Sequence, residues 1–269
     1  MNDPIDLNGR NGMQRVFITG ASSGIGAALA AAYAQQGAVL GLVARRRDKL
    51  EQLRAGLPHP ERHHLYVLDV TDHDALQQAA QHFLAATGGI EVVIANAGIS
   101  QGTLTEFAED IPVFERIIAT NVTATVATFH PFIAAMKRQP RPQDCRLVGI
   151  GSVAGIRGLP GAEAYSASKA AVISYCESLR IELRASGIKV VTIAPGYIDT
   201  PMTQVNHYRM PFLMPVQKFA ARALAAIAVG DSYRVIPWQM GVVAKLLRLL
   251  PNSVYDFAFS KAPHKKRNH

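Results

Sequence analysis

Short apolar runs recur along the chain at 15–19, 39–44, 64–70, 92–96, 146–152, 189–195 and 233–237, with helical stretches between them. Each run has the length of a strand, and the first (RVFIT) reads as one that is buried. Strands that alternate with helices predict parallel pairing, with the helices covering both faces of one sheet. The expected fold class is therefore α/β, a doubly wound, mostly parallel seven-stranded sheet with helices on both faces. In that plan ligands collect outside the carboxyl ends of the strands, where the strand order reverses. The stretch 196–215 carries Tyr208, Met210, Phe212 and Met214 and is expected to be an irregular cover over that edge.

The 269 residues, 49% hydrophobic and 18% charged, suffice for one large core, so a single domain over 1–237 is the simplest organisation. The extension 238–269 differs in character. Between 232 and 269 seven lysines and arginines face one acid, Asp256, which puts +6 of the net +8 at this end. The run 240–250 (MGVVAKLLRLL) is helical in pattern, few of its positions are polar, and Trp238 and Tyr255 flank it. Such a helix can pack on its own domain over the cleft, pack on a partner subunit, or lie in a membrane interface, and it is too short to span a bilayer.

Two cysteines, Cys145 and Cys176, make neither a disulfide framework nor a metal site, and His59, His63 and His64 lack zinc-ligand spacing. No metal is expected. No N-terminal stretch joins a basic region to a long apolar core, so a cytoplasmic protein is expected, at most peripheral to a membrane. Lys265, Lys266 and Arg267 form a short basic cluster without interleaved aromatics, and no nucleic-acid partner is expected.

Candidate chemistry lies in AYSASKAAV. Tyr165 and Lys169 are four residues apart, hence on one helix face, and Ser152 lies thirteen residues upstream. A cation beside a phenol favours the phenolate, so Lys169 is expected to pull the Tyr165 pKa down. Ser152 would hydrogen-bond a substrate oxygen whose charge changes while Tyr165 moves the proton. Upstream, Gly20, Gly24 and Gly26 follow the first strand and open an Ala-rich helix. Glycines there let the backbone approach a pyrophosphate resting on the helix N-terminus.

With these motifs the chain resembles the short-chain dehydrogenase/reductase family, over roughly 13–237. The family's Thr-Gly-x-x-x-Gly-x-Gly falls on Thr19, Gly20, Gly24 and Gly26, and its Asn, Ser, Tyr and Lys on Asn121, Ser152, Tyr165 and Lys169. Asn96-Ala97-Gly98 and Pro195-Gly196 match further family motifs. The resemblance implies a Rossmann-type fold and an oxidoreductase acting on a carbonyl or secondary alcohol. It also implies a nucleotide surface made from Gly20, Ser22, Ser23, Gly24, Ile25 and Gly26, with Asp69 and Val70 near the adenine. Asn96, Ala97 and Gly98, then Pro195, Gly196, Ile198 and Thr200, complete it. Lys169 is implied to bond the nicotinamide ribose as well, and Asn121 to kink a helix and orient a relay water.

The end of the second strand reads Val43-Ala44-Arg45-Arg46-Arg47, with no carboxylate before Asp48. Arginine accommodates a ribose 2′-phosphate, so NADP(H) is expected over NAD(H), with Arg45 first and Arg46 second as its contact. The Met-rich cover favours an apolar carbonyl substrate, with Leu159 and Glu163 at its border. Family resemblance implies a homodimer or homotetramer through 109–138 and 163–184. A catalytically weak nucleotide-binding sensor or scaffold is the alternative, against which the complete catalytic set speaks.

Overall fold

The computed structural model describes residues 13–206, 209–260 and 267. Its main sheet has seven strands, β1 (Arg15–Thr19), β2 (Val39–Ala44), β3 (His64–Val67), β4 (Val92–Ala95), β5 (Arg146–Ile150), β6 (Lys189–Pro195) and, at the far edge, Tyr233–Ile236. The order across the sheet is β3-β2-β1-β4-β5-β6 and then Tyr233–Ile236, and every pairing is parallel. The chain winds outward from β1 to β3 and returns to β4 on the other side of β1, so the strand order reverses between β1 and β4. The crevice at this point is where the glycine-rich turn emerges.

Two helical layers explain why the central strands read as continuous apolar runs. On one face α1 (Gly24–Gln35) and Val216–Val229 bury Leu29, Tyr33, Phe219 and Ala223 against Val16, Ile18, Leu40 and Leu42. On the other face α3 (His73–Thr87), Ala124–Arg138 and Glu163–Glu182 bury Phe83, Phe132 and Cys176 against Phe17, Val93 and Leu147. Phe17 sits 4.9 Å from the ring of Phe132 and 5.6 Å from that of Phe83. Beside it on β2 only glycine fits, because a Cβ on Gly41 would lie 2.6 Å from the Phe17 ring. The run 108–138 has the length and hydropathy of a membrane span, yet Ile117, Phe129, Phe132 and Met136 bury it as a core helix does.

Several element ends differ from the sequence pattern. The third strand stops at Val67, three residues early, where Asp69 accepts hydrogen bonds from the Thr71 amide (3.0 Å) and hydroxyl (2.8 Å) and turns the chain. β5 stops at Ile150, because Ser152 caps a 3-10 turn by accepting from the Ala154 amide. The cover 196–215 is partly regular: β7 (Ile198–Asp199) pairs with β8 (Met214–Pro215) around the short helix α7 (Pro201–Gln204). Met214 belongs to the core, Phe212 is exposed, and Tyr208 lies outside the described residues.

The remaining described α-helices and strand are α2 (Arg47–Ala55), α4 (Ile111–Ile118), α5 (Ala124–Arg138), α6 (Glu163–Glu182), α8 (Val216–Val229), β9 (Tyr233–Ile236), α9 (Trp238–Leu249) and α10 (Asn252–Phe259). Met240, Gly241, Ala244 and Tyr255 turn inward from α9 and α10. Arg267 bonds Asp110 through Nε at 2.7 Å and stacks on Phe107, while Lys261, Lys265 and Lys266 lie outside the described residues.

Candidate active site

The glycine-rich turn is conformationally specific. Gly20 (φ 68°) and Gly24 (φ 55°) occupy the left-handed region, which a side chain disfavours. Gly26 lets α1 press on the turn: a Cβ there would stand 2.3 Å from the Gly20 carbonyl oxygen. The turn is stitched to the next strand by Thr19, whose buried hydroxyl accepts from the Asn96 and Ala97 amides, both at 3.2 Å. Asn96 returns its amide to the carbonyls of Thr19 (3.0 Å) and Gly20 (3.2 Å). Ser23 precedes α1 without capping it through its side chain, so the first amides of the helix face the crevice. This is the cradle a pyrophosphate requires.

A cavity of about 290 Å³ runs from this turn across the sheet edge. It brings together every expected nucleotide residue except Gly26, and it includes Ser152, Tyr165 and Lys169. Gly26 and Asn121 stand behind its wall. Asp69 lies at one end. Burial opposes its negative charge, but the two Thr71 hydrogen bonds and the neighbouring Arg45 outweigh that and hold its pKa below the ordinary value. The paired arginines separate: Arg45 turns to Asp69 (3.3 Å), whereas Arg46 reaches over the glycine turn to Ser22 Oγ (3.0 Å) and Ser23 Oγ (3.1 Å). Arg46 is thus the cation that lies on the glycine turn.

At the other end α6 presents Tyr165 and Lys169 toward Ser152. Gly155 makes this approach feasible, since a Cβ there would lie 2.6 Å from the backbone of Lys169. Lys169 Nζ donates to the Ile150 carbonyl at 2.8 Å and sits 5.8 Å from the centre of the Tyr165 ring. Burial lowers the Lys169 pKa to about 8. The Tyr165 phenol is pushed up by burial, and its hydrogen bond with Ser152 only partly offsets this. The sequence had suggested that Lys169 would pull the phenol down. Here the hydrogen bond with Ser152 is what lowers it, while the desolvated ammonium donates one of its protons to Ile150.

Asn121 lies in a π-helical turn, Ala119–Thr123, between α4 and α5. Its Oδ1 accepts from the Ile99 amide (2.8 Å), and its Nδ2 donates to the Ile99 carbonyl and to Ser168 Oγ (both 3.0 Å). Ser168 Oγ in turn donates to the Tyr165 carbonyl at 2.7 Å. The helix distortion expected at Asn121 is thus present, and its side chain braces the turn of α6 that carries Tyr165. Gly98 makes room for this amide, because a Cβ would lie 3.2 Å from Asn121 Oδ1 and 3.5 Å from Lys169 Nζ.

Sequence reasoning did not pick out Ala44, Leu68, Ile99, Thr120 and Met202 as lining residues. Each stands within three residues of one that it did, which is the only signal available. Among the described residues no group of three or more His, Cys, Asp or Glu side chains could hold a metal ion. The glycine turn, uncapped helix, acidic end and buried lysine together fit a dinucleotide.

The sequence pattern of the short chain dehydrogenase family matches residues 14–209. The chain is similar to an uncharacterized oxidoreductase of Myxococcus xanthus, 38% identical over 250 residues that cover 90% of this chain and 94% of the relative. It is also similar to the 3-oxoacyl-[acyl-carrier-protein] reductase of Thermotoga maritima, 34% identical over 217 residues, 80% of this chain and 82% of the relative. The 3-ketoacyl-(acyl-carrier-protein) reductase of Brucella melitensis, solved with NADH, shares the fold. Its TM-score is 0.76 at 23% identity, over 83% of this chain and 96% of that one.

Proposed function

The chain belongs to the short-chain dehydrogenase family, and from that premise we propose that it interconverts a lipophilic carbonyl compound and its secondary alcohol with NADP(H). Its standing as an oxidoreductase follows from the family. The cofactor and substrate assignments are supported by one observation above all, the convergence of Ser152, Tyr165 and Lys169 on a cavity that also contains the glycine turn.

The dinucleotide, when bound, supplies or accepts the hydride. The protein's own groups manage the oxygen. Tyr165 gives its phenolic proton to that oxygen in reduction and recovers it in oxidation. Ser152 donates a hydrogen bond to the same atom as charge builds on it. Lys169 holds positive charge beside both, and its lowered pKa suits it to exchange a proton near neutrality. Asn121 acts at one remove, by holding Ser168 and hence the turn that carries Tyr165.

NADP(H) is favoured over NAD(H) by Arg46 and the hydroxyls of Ser22 and Ser23, which make a cation and two donors where a ribose 2′-phosphate would rest. Arg45 is drawn away by Asp69 and has the lesser part. A lipophilic substrate is favoured by Ile99, Ile198 and Met202 on the cavity wall. Exposed Ile111, Val126 and Ile181 on α4, α5 and α6 favour assembly into a homodimer or homotetramer. Two buried free thiols accord with a cytoplasmic setting.

Loss of NADPH absorbance, followed against ketones, aldehydes and 3-oxoacyl thioesters, tests the reading. Turnover of the apolar members is expected. Tight NADPH binding with no turnover across the panel would instead favour a sensor or scaffold.

A further inference from the structure

Helices α9 and α10 have a second face that none of the described residues covers. On α9 the inward residues are Met240, Gly241 and Ala244. The opposite stripe, at positions 238, 242, 246 and 249, is Trp238, Val242, Leu246 and Leu249, with no polar residue among them. Their exposures are 65%, 48%, 60% and 80%. Phe257 on α10 is 87% exposed and Val254 beside it 49%. A surface helix of a water-soluble domain normally turns charge outward, so a helix apolar on both sides has a second apolar environment.

We propose that this outer face of α9 and α10 seats on a phospholipid surface bearing anionic headgroups. Trp238, Leu246, Leu249 and Phe257 enter the acyl boundary, the exposed Lys245 beside that stripe meets the headgroups, and Arg248, exposed in the last turn of α9, adds a second positive charge at the same end. Charge selects this occupant over a second copy of the chain. A two-fold interface sets the same patch against itself, which would gather both copies of Lys245 and Arg248 at one dry seam, and in α9 and α10 these two cations face a single acid, Asp256. An anionic surface reverses the sign of that interaction. The seat adjoins the cavity rim: a Cβ on Gly196, a lining residue, would lie 2.7 Å from Met240 on the inner side of α9. The inference is independent of the reaction carried out in the cavity.

Trp238 is the chain's only tryptophan, so its emission reports the contact directly in the unmodified protein. The full chain, mixed at low salt with vesicles of phosphatidylcholine and phosphatidylglycerol, should float with them and shift its emission to the blue. Added salt should weaken the binding, as should vesicles of phosphatidylcholine alone. A Leu246→Glu/Leu249→Glu variant should lose affinity about tenfold or more. If that variant fails to fold, Lys245→Glu/Arg248→Glu should show the same loss on the anionic vesicles. Three results overturn the proposal: a native chain that stays in the soluble fraction with unshifted emission, binding indifferent to every substitution, or light scattering in which the leucine variant splits an assembly whose native form ignores vesicles. The last would assign the face to a second copy.

Discussion

Lys169 Nζ donates to the carbonyl oxygen of Ile150, so the ammonium is anchored to the end of β5. Burial lowers its pKa to about 8, whereas in the unfolded chain it returns to about 10.4. Between these values the unfolded chain binds more protons than the folded one, so this group adds stability as pH rises and adds none below the lower value. In a Lys169→Met variant the contribution is absent. The unfolding free energy of the variant minus that of the parent should fall by roughly 1–3 kcal/mol between about pH 7 and about pH 10. Urea denaturation of both proteins at these two values measures it, and a constant difference would contradict the buried charge.

Removal of the Tyr165 hydroxyl separates chemistry from binding. Tyr165→Phe keeps the ring against α6 and deletes the transferable proton. Turnover should fall by about 10²–10⁴-fold, with NADPH affinity changed by less than about threefold. Steady-state rates and a fluorescence titration with NADPH supply the two readouts. Equal rates for variant and parent would remove Tyr165 from the proposed mechanism.

The centres of the strands were legible because burial on both faces leaves long apolar runs, as at Val39–Ala44. Their ends were not. Asp69 and Ser152 terminate β3 and β5 through hydrogen bonds to residues two positions on, and neither residue type announces that role by itself. The Ser152, Tyr165 and Lys169 set was readable from helical spacing and motif order. The directions of Arg45 and Arg46 were not, since adjacent residues diverge according to partners brought from 24 positions away. The tie from Lys169 to Ile150 is equally tertiary, as is the burial that turns the Tyr165 pKa upward.

Arg46 and Arg45 should therefore differ in their effect on cofactor choice. Arg46→Ala removes the cation that spans Ser22 and Ser23, and should weaken NADPH relative to NADH by about 10–100-fold, the worth of one charge-assisted contact. Arg45→Ala, whose guanidinium is engaged by Asp69, should change the ratio by less than about fivefold. The ratio of kcat/KM for the two cofactors decides, and a larger effect at Arg45 would favour the order expected from sequence.

Gly26 offers a steric test of the same cradle. The obstacle to Gly26→Ala is the Gly20 carbonyl oxygen, a backbone atom held by Asn96, and not the end of a mobile side chain. The turn must shift, at a cost of about 1–3 kcal/mol in stability, and NADPH affinity should fall at least about tenfold with it. Thermal unfolding with and without NADPH measures both. A variant that melts and binds like the parent would show that the turn has more room than its geometry indicates.

Arg157 couples the last helices to the segment between Ser152 and Tyr165. Its guanidinium donates to the carbonyls of Leu250 (2.8 Å) and Leu247 and to Asn252 Oδ1 (3.1 Å), and lies 3.9 Å over the Tyr255 ring. The Tyr255 hydroxyl returns a bond to the Gly158 carbonyl at 2.6 Å. The final carbonyls of α9 thus receive a cation at the negative end of the helix, and the loop at 157–159 is fastened from both sides. Arg157→Met should cost about 1–3 kcal/mol and free that loop. Ser152 and Tyr165 remain anchored by β5 and α6, so KM for the carbonyl substrate should rise more than kcat falls. Arg157→Lys should recover little, because one ammonium cannot span three acceptors and stack on a ring as the planar fork does. Thermal unfolding, the split between KM and kcat, and amide exchange in 238–259 are the measurements, and unchanged values in all three would show the clasp to be dispensable.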